Sequence, residues 1–302
     1  MCCIESYVFF DIETTGLPWL EKNRTKITEL SFVVALRKDV IVIPHGSLPP
    51  VSKLSLVFNP GRPIDPEAVK LNGLSNDLLR HAPVFRQKIE TIVSFLKELP
   101  KPVCLVAHNG NRFDFKILLA EFNDANMLLP DDLLFVDSLI GFRQILASSN
   151  GRKVKVAKPL CTVSSEAQDL LTDDEDEWPD LNLSTEEWKD IDEICDSLSD
   201  ISCEDITEAK KITLKKQNGK KQANRSEVIS KVFSKTNNVN KESYTLLSLY
   251  KRLINKEPYN HHRAEDDCCM LLECVIAVKD EFILWADEAC KMLKEVQPLI
   301  RQ

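Results

Sequence analysis

The sequence predicts an α/β domain interrupted by a long charged insertion, and three observations lead there. Five short runs, at residues 7–10, 29–36, 53–58, 103–107 and 133–136, are apolar or alternate with a period of two. Segments with helical spacing separate the later ones. From about residue 149 to 240 both patterns stop, and helical spacing alone resumes at Tyr244.

The elements follow in chain order. Residues 7–10 are a β-prone run that leads into two acids, Asp11 and Glu13. Residues 29–36 are a second strand, and 53–58 alternate like a third. Asp65 then precedes Pro66 and Glu67, the pattern of an N-cap with proline at the first helical position. Gly73 is expected to end that short helix. Phe85, Ile89, Ile92, Val93 and Leu96 recur at helical spacing and predict a helix over 85–99, stopped by Pro100 and Pro102. A buried strand at 103–107, a helix at 115–122 and a strand at 133–136 complete the first part. Beyond Tyr244, Leu246, Leu249 and Leu253 share one helical face. Cys269, Leu272 and Ile276 mark a helix after His262, and a last amphipathic helix is expected over about 281–296. Neither part is complete alone, so residues 1–148 and 241–302 are expected to pack as a single domain.

The net charge of −8 conceals two opposed blocks. Residues 166–210 hold 18 acids against 2 bases, and 211–241 hold 9 bases against 1 acid. The remainder is balanced, so bulk charge gives no argument for a nucleic-acid partner. Both blocks, save Lys241, fall within 149–240, which has the composition of disorder. Ser184-Thr185-Glu186-Glu187 is a capping-box pattern there, and Trp188, Ile191, Cys195 and Leu198 fall near one face. An acidic helix that docks on a protein partner and a transient helix without a role both fit, the second being commoner. Lys215-Lys216 and Lys220-Lys221 fit phosphate binding, an import signal or a solvated tether.

Ten cysteines without C-x-x-C spacing argue against a zinc site or a disulfide framework. Reduced thiols in a cytoplasmic or nuclear protein are expected instead. No apolar run approaches the ~20 residues of a bilayer-spanning helix. Nor does a basic segment followed by an apolar stretch begin the chain, so neither membrane anchor nor secretory signal is expected. Acylation of Cys2 or Cys3 would lack an adjoining polybasic patch.

Three stretches carry the chemistry. In Phe9-Phe10-Asp11-Ile12-Glu13 a strand places residues i and i+2 on one face, so Asp11 and Glu13 project side by side. Paired carboxylates repel unless a cation lies between them, and hard oxygen ligands suit Mg²⁺ or Mn²⁺. In residues 107–115 a buried strand feeds a glycine-containing turn, and Asp114 stands at the start of a helix, where capping is an alternative role. In His262-Arg263-Ala264-Glu265-Asp266-Asp267, Asp267 projects inward from a helix that His262 precedes. An imidazole changes charge near neutrality and suits proton abstraction from water. His261 and Asp266 have the same separation, so spacing leaves the choice of pair open.

The order D-x-E, N-x-x-x-F-D, H-x-A-x-x-D resembles the joint pattern of the DEDDh exonucleases. More than these residues match, and the chain resembles the three-prime repair exonuclease (TREX) branch. Phe10-Asp11-Ile12-Glu13-Thr14-Thr15-Gly16-Leu17-Pro18 looks like its first motif. Lys53-Leu54-Ser55-Leu56 and Gly73-Leu74-Ser75 look like its second. Cys104-Leu105-Val106-Ala107-His108-Asn109-Gly110, Arg112, Asp114-Phe115 and Ala120-Glu121 follow its middle motif, and Val136-Asp137-Ser138 and Leu249-Tyr250-Lys251-Arg252-Leu253 agree as well. The resemblance covers about 7–144 and 244–286.

The resemblance implies a ribonuclease-H-like exonuclease fold, a mixed β-sheet with helices packed on it, with 149–240 inserted in place of a short loop. It implies a metal-dependent 3′-5′ exodeoxyribonuclease that releases nucleoside 5′-monophosphates from single-stranded or frayed DNA 3′ ends. Asp11, Glu13, Asp114 and Asp267 are the implied ligands of two Mg²⁺, with Mn²⁺ as an alternative. His262, not His261, fits the position two before the alanine and is the implied general base. Glu13, Thr14, Leu17, Phe113 and His262 fall where the family contacts substrate, and the family forms homodimers. The family's proline-rich loop is reduced here to 44–50, and no hydrophobic C-terminal tail is present. An RNA exonuclease of the same superfamily would carry the same catalytic residues. A non-catalytic adaptor would be expected to have lost a metal ligand, whereas all five positions are filled.

Overall fold

In the computed structural model, residues 3–44, 46–149, 243–256 and 262–301 are described. From residue 150 the expected insertion, with its acidic helix and lysine pairs, lies outside the described residues, and so does His261.

The first strand, β1 (Ser6–Thr14), is apolar over most of its length and buried almost throughout, as a strand covered on both faces must be. It pairs antiparallel with β2 (Ile27–Leu36), which pairs antiparallel with β3 (Val51–Val57). On its other side β1 runs parallel to β4 (Val103–Ala107), and β4 runs parallel to β5 (Leu134–Asp137). A two-residue strand, β6 (Lys291–Met292), closes the far edge antiparallel to β5. The order β3-β2-β1-β4-β5-β6 is a mixed sheet, with helices packed on it, as the sequence predicts.

The helices are α1 (Arg37–Val42), α2 (Pro66–Asn72), α3 (Ile89–Lys97), α4 (Asp114–Asp124), α5 (Ser138–Ser149), α6 (Leu246–Ile254), α7 (Ala264–Ala277) and α8 (Lys279–Ala289). The caps of α2 are those expected: the Asp65 carboxylate accepts the Glu67 N–H at 2.8 Å, and Gly73 ends the helix at φ 74°. Two expectations are corrected. Residues 85–99 open as a 3₁₀ turn, Phe85–Lys88, before α3 begins, and α3 stops at Lys97. The helix expected over 281–296 ends at Ala289. Beyond it the chain turns onto the sheet edge, where the Leu293 N–H donates to the Leu133 carbonyl at 2.9 Å and the Leu293 side chain is buried in the core. Apolar residues after 289 are therefore buried by edge pairing and not by a helical face. Helices α1 and α5 and strand β6 had no periodic signal strong enough to predict them.

Alternation divides β1 between two environments. Val8, Phe10 and Ile12 enter the core with Ile92 and Leu96 of α3 and Phe115 and Leu118 of α4. Asp11 and Glu13 face the opposite side, where α7 packs on β1 and β2. Phe115 lies 6.1 Å from Phe10 and 5.0 Å from Phe135, ring centre to ring centre, which pins the first turn of α4 to the sheet. The turn before α4 comes equally close. A Cβ at Gly110 would fall 2.6 Å from both the Ala107 Cβ and the Phe115 ring, so only glycine fits. Among the described residues, those from 3 to 149 and from 246 to 301 belong to one packed unit, which brings α6 to α8 onto the first part of the chain. Among the described residues no disulfide forms, and no helix is long and apolar enough to cross a membrane.

Candidate active site

Strand β1 and helix α7, some 250 residues apart in sequence, build the centre of the site. Asp11, Glu13 and Asp267 each bring a carboxylate oxygen within 4.8 Å of the others. The pleat puts Asp11 and Glu13 on the same face, and the helical rotation of α7 turns Asp267, not its neighbour Asp266, toward them. Asp114, the first residue of α4, is 4% exposed and stands beside Asp11, outside the close triad. Asp114 is not the N-cap residue, which is Phe113, but its carboxylate accepts its own amide at the helix start.

The carboxylates suffer from this crowding. Burial, then the charges of Asp114, Asp267 and Glu13, hold the Asp11 carboxyl well above its usual range. Burial raises Glu13 to about 7, against the pull of a hydrogen bond from Asn72. Burial raises Asp114 to about 8, with its own amide and that of Ile12 opposing. An all-oxygen set of close, half-buried carboxylates that resist ionisation fits a hard divalent cation, which would restore the charged forms.

The turn that delivers Asp114 hangs from a single acid. Asp137, at the end of β5, accepts the backbone N–H of Asn109 at 2.9 Å, Asn111 at 3.1 Å and Leu139 at 3.1 Å. Asn109 can take the left-handed φ of 61° this turn requires because asparagine tolerates it. Ser138 donates to the Ala107 carbonyl at 3.1 Å, and His108 Nδ1 lies 3.0 Å from the same hydroxyl.

His262 precedes α7 and is half-buried, with φ 72°. Its backbone N–H donates to Asp267 Oδ2 at 3.0 Å, tying the candidate base to the carboxylate cluster. Thr14 is buried, and its hydroxyl donates to the Gly16 carbonyl at 3.0 Å. Leu17 is half-buried, and the partly buried Phe113 packs against the main core.

Three further residues shape the site without having been named as site residues, although Asp137 lies in the matching stretch Val136-Asp137-Ser138. Asn72 at the end of α2 donates to Glu13 Oε2 at 2.9 Å, while its own carbonyl accepts the Leu74 N–H. Glu29 pairs with Arg263 and Ala264 at the start of α7. Asp137 organises the Asp114 turn. Glu29 did leave a signal: an acid inside an otherwise apolar run must find a partner if that run is a buried strand. Asn72 left none, because its partner is 59 residues away.

The raised carboxylates contribute a pH dependence to the cation-free protein. Between the ordinary carboxylate range and the raised values, the folded state holds protons that the unfolded chain has released. Their own contribution to stability is therefore full below about 4. It is lost as pH rises through about 7 for Glu13 and about 8 for Asp114. Melting in chelator should fall between pH 5 and pH 8. Saturating Mg²⁺ should raise Tm by roughly 5 °C at pH 8 and by much less at pH 5. Equal shifts at both pH values would place cation binding elsewhere.

A family model described as Exonuclease (RNase_T) matches residues 8–162. Three prime repair exonuclease 2 of Homo sapiens is 35% identical over 161 residues, covering 50% of this chain and 67% of that protein. Three-prime repair exonuclease 1 of Homo sapiens is 34% identical over 163 residues, covering 49% of this chain and 50% of that protein. DNA polymerase III subunit epsilon of Treponema pallidum is 33% identical over 118 residues, covering 39% of this chain and 46% of that protein. The family match contains Asp11, Glu13 and Asp114 and stops before His262 and Asp267.

Proposed function

Because this chain belongs to the exonuclease family, which spans half of it, we propose that it is a metal-dependent 3′-5′ exodeoxyribonuclease acting on single-stranded or frayed DNA ends. The observation that carries the reading is the close, half-buried triad Asp11, Glu13 and Asp267, with His262 tethered to it through Asp267. The relatives named three prime repair exonuclease support attack at the 3′ end, and the relative named DNA polymerase III subunit epsilon supports DNA as the polymer.

Asp11, Glu13, Asp114 and Asp267 would hold two divalent cations, Mg²⁺ or Mn²⁺, which when bound neutralise phosphate charge and acidify water. His262 acts as general base and takes the proton of the attacking water. The water oxygen bonds to phosphorus, the bond from phosphorus to the 3′ oxygen of the penultimate nucleotide breaks, and a nucleoside 5′-monophosphate leaves. Glu13, Thr14, Leu17, Phe113 and His262 form the seat of the terminal nucleotide. The Thr14 hydroxyl is engaged with Gly16, so Thr14 would meet substrate through its methyl group or backbone.

The test is a degradation ladder. Purified protein is mixed with 5′-labelled single-stranded DNA, or with matching RNA, in Mg²⁺ or in chelator. The expected outcome is a Mg²⁺-dependent ladder on DNA that shortens from the 3′ end. Preference for RNA would reassign the substrate, and binding without cleavage would favour an adaptor. A homodimer is part of the same reading: β3 is an edge strand with an exposed side, and sedimentation at the mass of one chain would rule the dimer out. Acidic and basic blocks in 149–240 are proposed to serve a protein partner and phosphate contacts. An unchanged salt dependence of DNA affinity after deleting them would rule out the phosphate contacts.

A further inference from the structure

We infer that Glu29 and Arg263 form a positioning device that orients His262 and Asp267, an inference that rests on the exonuclease reading above. Glu29 lies on β2, directly opposite Glu13 in the strand register, and is 3% exposed. A carboxylate buried that deeply is costly unless its oxygens are satisfied. Both are. Arg263 Nε donates to Oε2 at 3.0 Å, and Arg263 Nη2 donates to Oε1 at 2.6 Å, a two-point guanidinium–carboxylate pair. The Ala264 N–H adds a third bond, to Oε2 at 3.1 Å.

Ala264 is the first residue of α7. A helix start leaves amide donors without partners inside the helix, and Glu29 fills one of them from the neighbouring sheet while placing negative charge at the positive end of the helix. The sequence positions next to it matter for this reason. His262 stands between two anchors: Arg263 and Ala264 held by Glu29, and its own N–H held by Asp267 Oδ2 at 3.0 Å. Its φ of 72° is one that non-glycine residues rarely adopt, and it persists where contacts on both sides determine it.

Glu265 adds a tie to β3, through Lys53 Nζ at 2.8 Å and Ser55 Oγ at 2.7 Å. That pair is solvent-exposed and therefore weak. The buried Glu29 is the firm anchor. Neither Glu29 nor Arg263 belongs to the close carboxylate triad. Their contribution passes through the orientation of the two residues beside them, and lysine at 263 would keep the charge without the two-point fork.

Glu29→Gln, Arg263→Ala and Arg263→Lys in the full chain test this. On 5′-labelled single-stranded DNA with Mg²⁺, kcat should fall roughly 10- to 100-fold in Glu29→Gln and Arg263→Ala, with Arg263→Lys between these and wild type. KM for DNA should stay within about threefold. A second readout does not need turnover: the Mg²⁺ concentration at half of the Tm rise should increase at least about tenfold in Arg263→Ala. The Arg263 side chain is 45% exposed and lysine keeps a cation beside Glu29, so Arg263→Lys is expected to fold even where Glu29→Gln or Arg263→Ala, which break the buried pair, does not. The inference is overturned if kcat in both Arg263 variants stays within about twofold of wild type, or if the Mg²⁺ midpoint is unmoved. If wild type itself does not cleave, the exonuclease reading fails, and the Mg²⁺ midpoint still decides whether Glu29 and Arg263 position the site.

Discussion

Asp11→Asn should abolish turnover and, in the same protein, make the cation-free fold more stable at neutral pH. Asp11 is the most crowded acid of the site: burial, then the charges of Asp114, Asp267, Glu13 and Glu29, push its carboxyl toward the protonated form. Asparagine keeps the shape and removes the charge. Repulsion within the cluster then falls, and Tm in chelator at pH 8 should rise by a few degrees. The cost appears in function. Loss of a cation ligand would remove several kcal/mol of transition-state stabilisation, a factor on the order of 10³ or more in kcat. The Mg²⁺-induced rise in Tm should shrink in parallel. A stabilised variant that still cuts DNA at the wild-type rate would remove Asp11 from the chemistry. A variant that loses both stability and activity would mark it as a structural residue.

His262 gives the second large effect, and its backbone decides how the experiment is built. At φ 72° an alanine is strained, whereas asparagine enters the left-handed region readily. His262→Asn therefore removes the imidazole while preserving the chain path and the N–H bond to Asp267. Loss of a general base costs roughly 10²- to 10⁴-fold in kcat. Both His262→Asn and His262→Ala should show that loss with DNA affinity nearly unchanged, and His262→Asn should melt closer to wild type. Unchanged turnover in His262→Asn would transfer the role to His261.

Those two residues also show how much could be read without coordinates. Asp11 and Glu13 were legible because a strand has a period of two and the apolar neighbours Phe9, Phe10 and Ile12 announce the strand. The N-cap of α2, its glycine end and strands β1, β2, β4 and β5 were legible for the same reason: their signals are local. The final helix was misjudged because residues 290–296 are apolar enough to continue it, yet bury themselves against the edge of β5.

Sequence alone determined the alternation of strands and helices, the acids that line one face of β1, and the family these motifs resemble. Tertiary structure decided which acids meet. Spacing could not separate Asp266 from Asp267. Packing of α7 on β1 and β2 does so, because one residue of helix turns a side chain by about 100° and only Asp267 then faces Asp11 and Glu13. The same packing makes Glu29 a partner of Arg263 across 234 positions of chain. Burial creates that pairing, since a charge inside the sheet must find an opposite charge, and no local pattern encodes which one it will be.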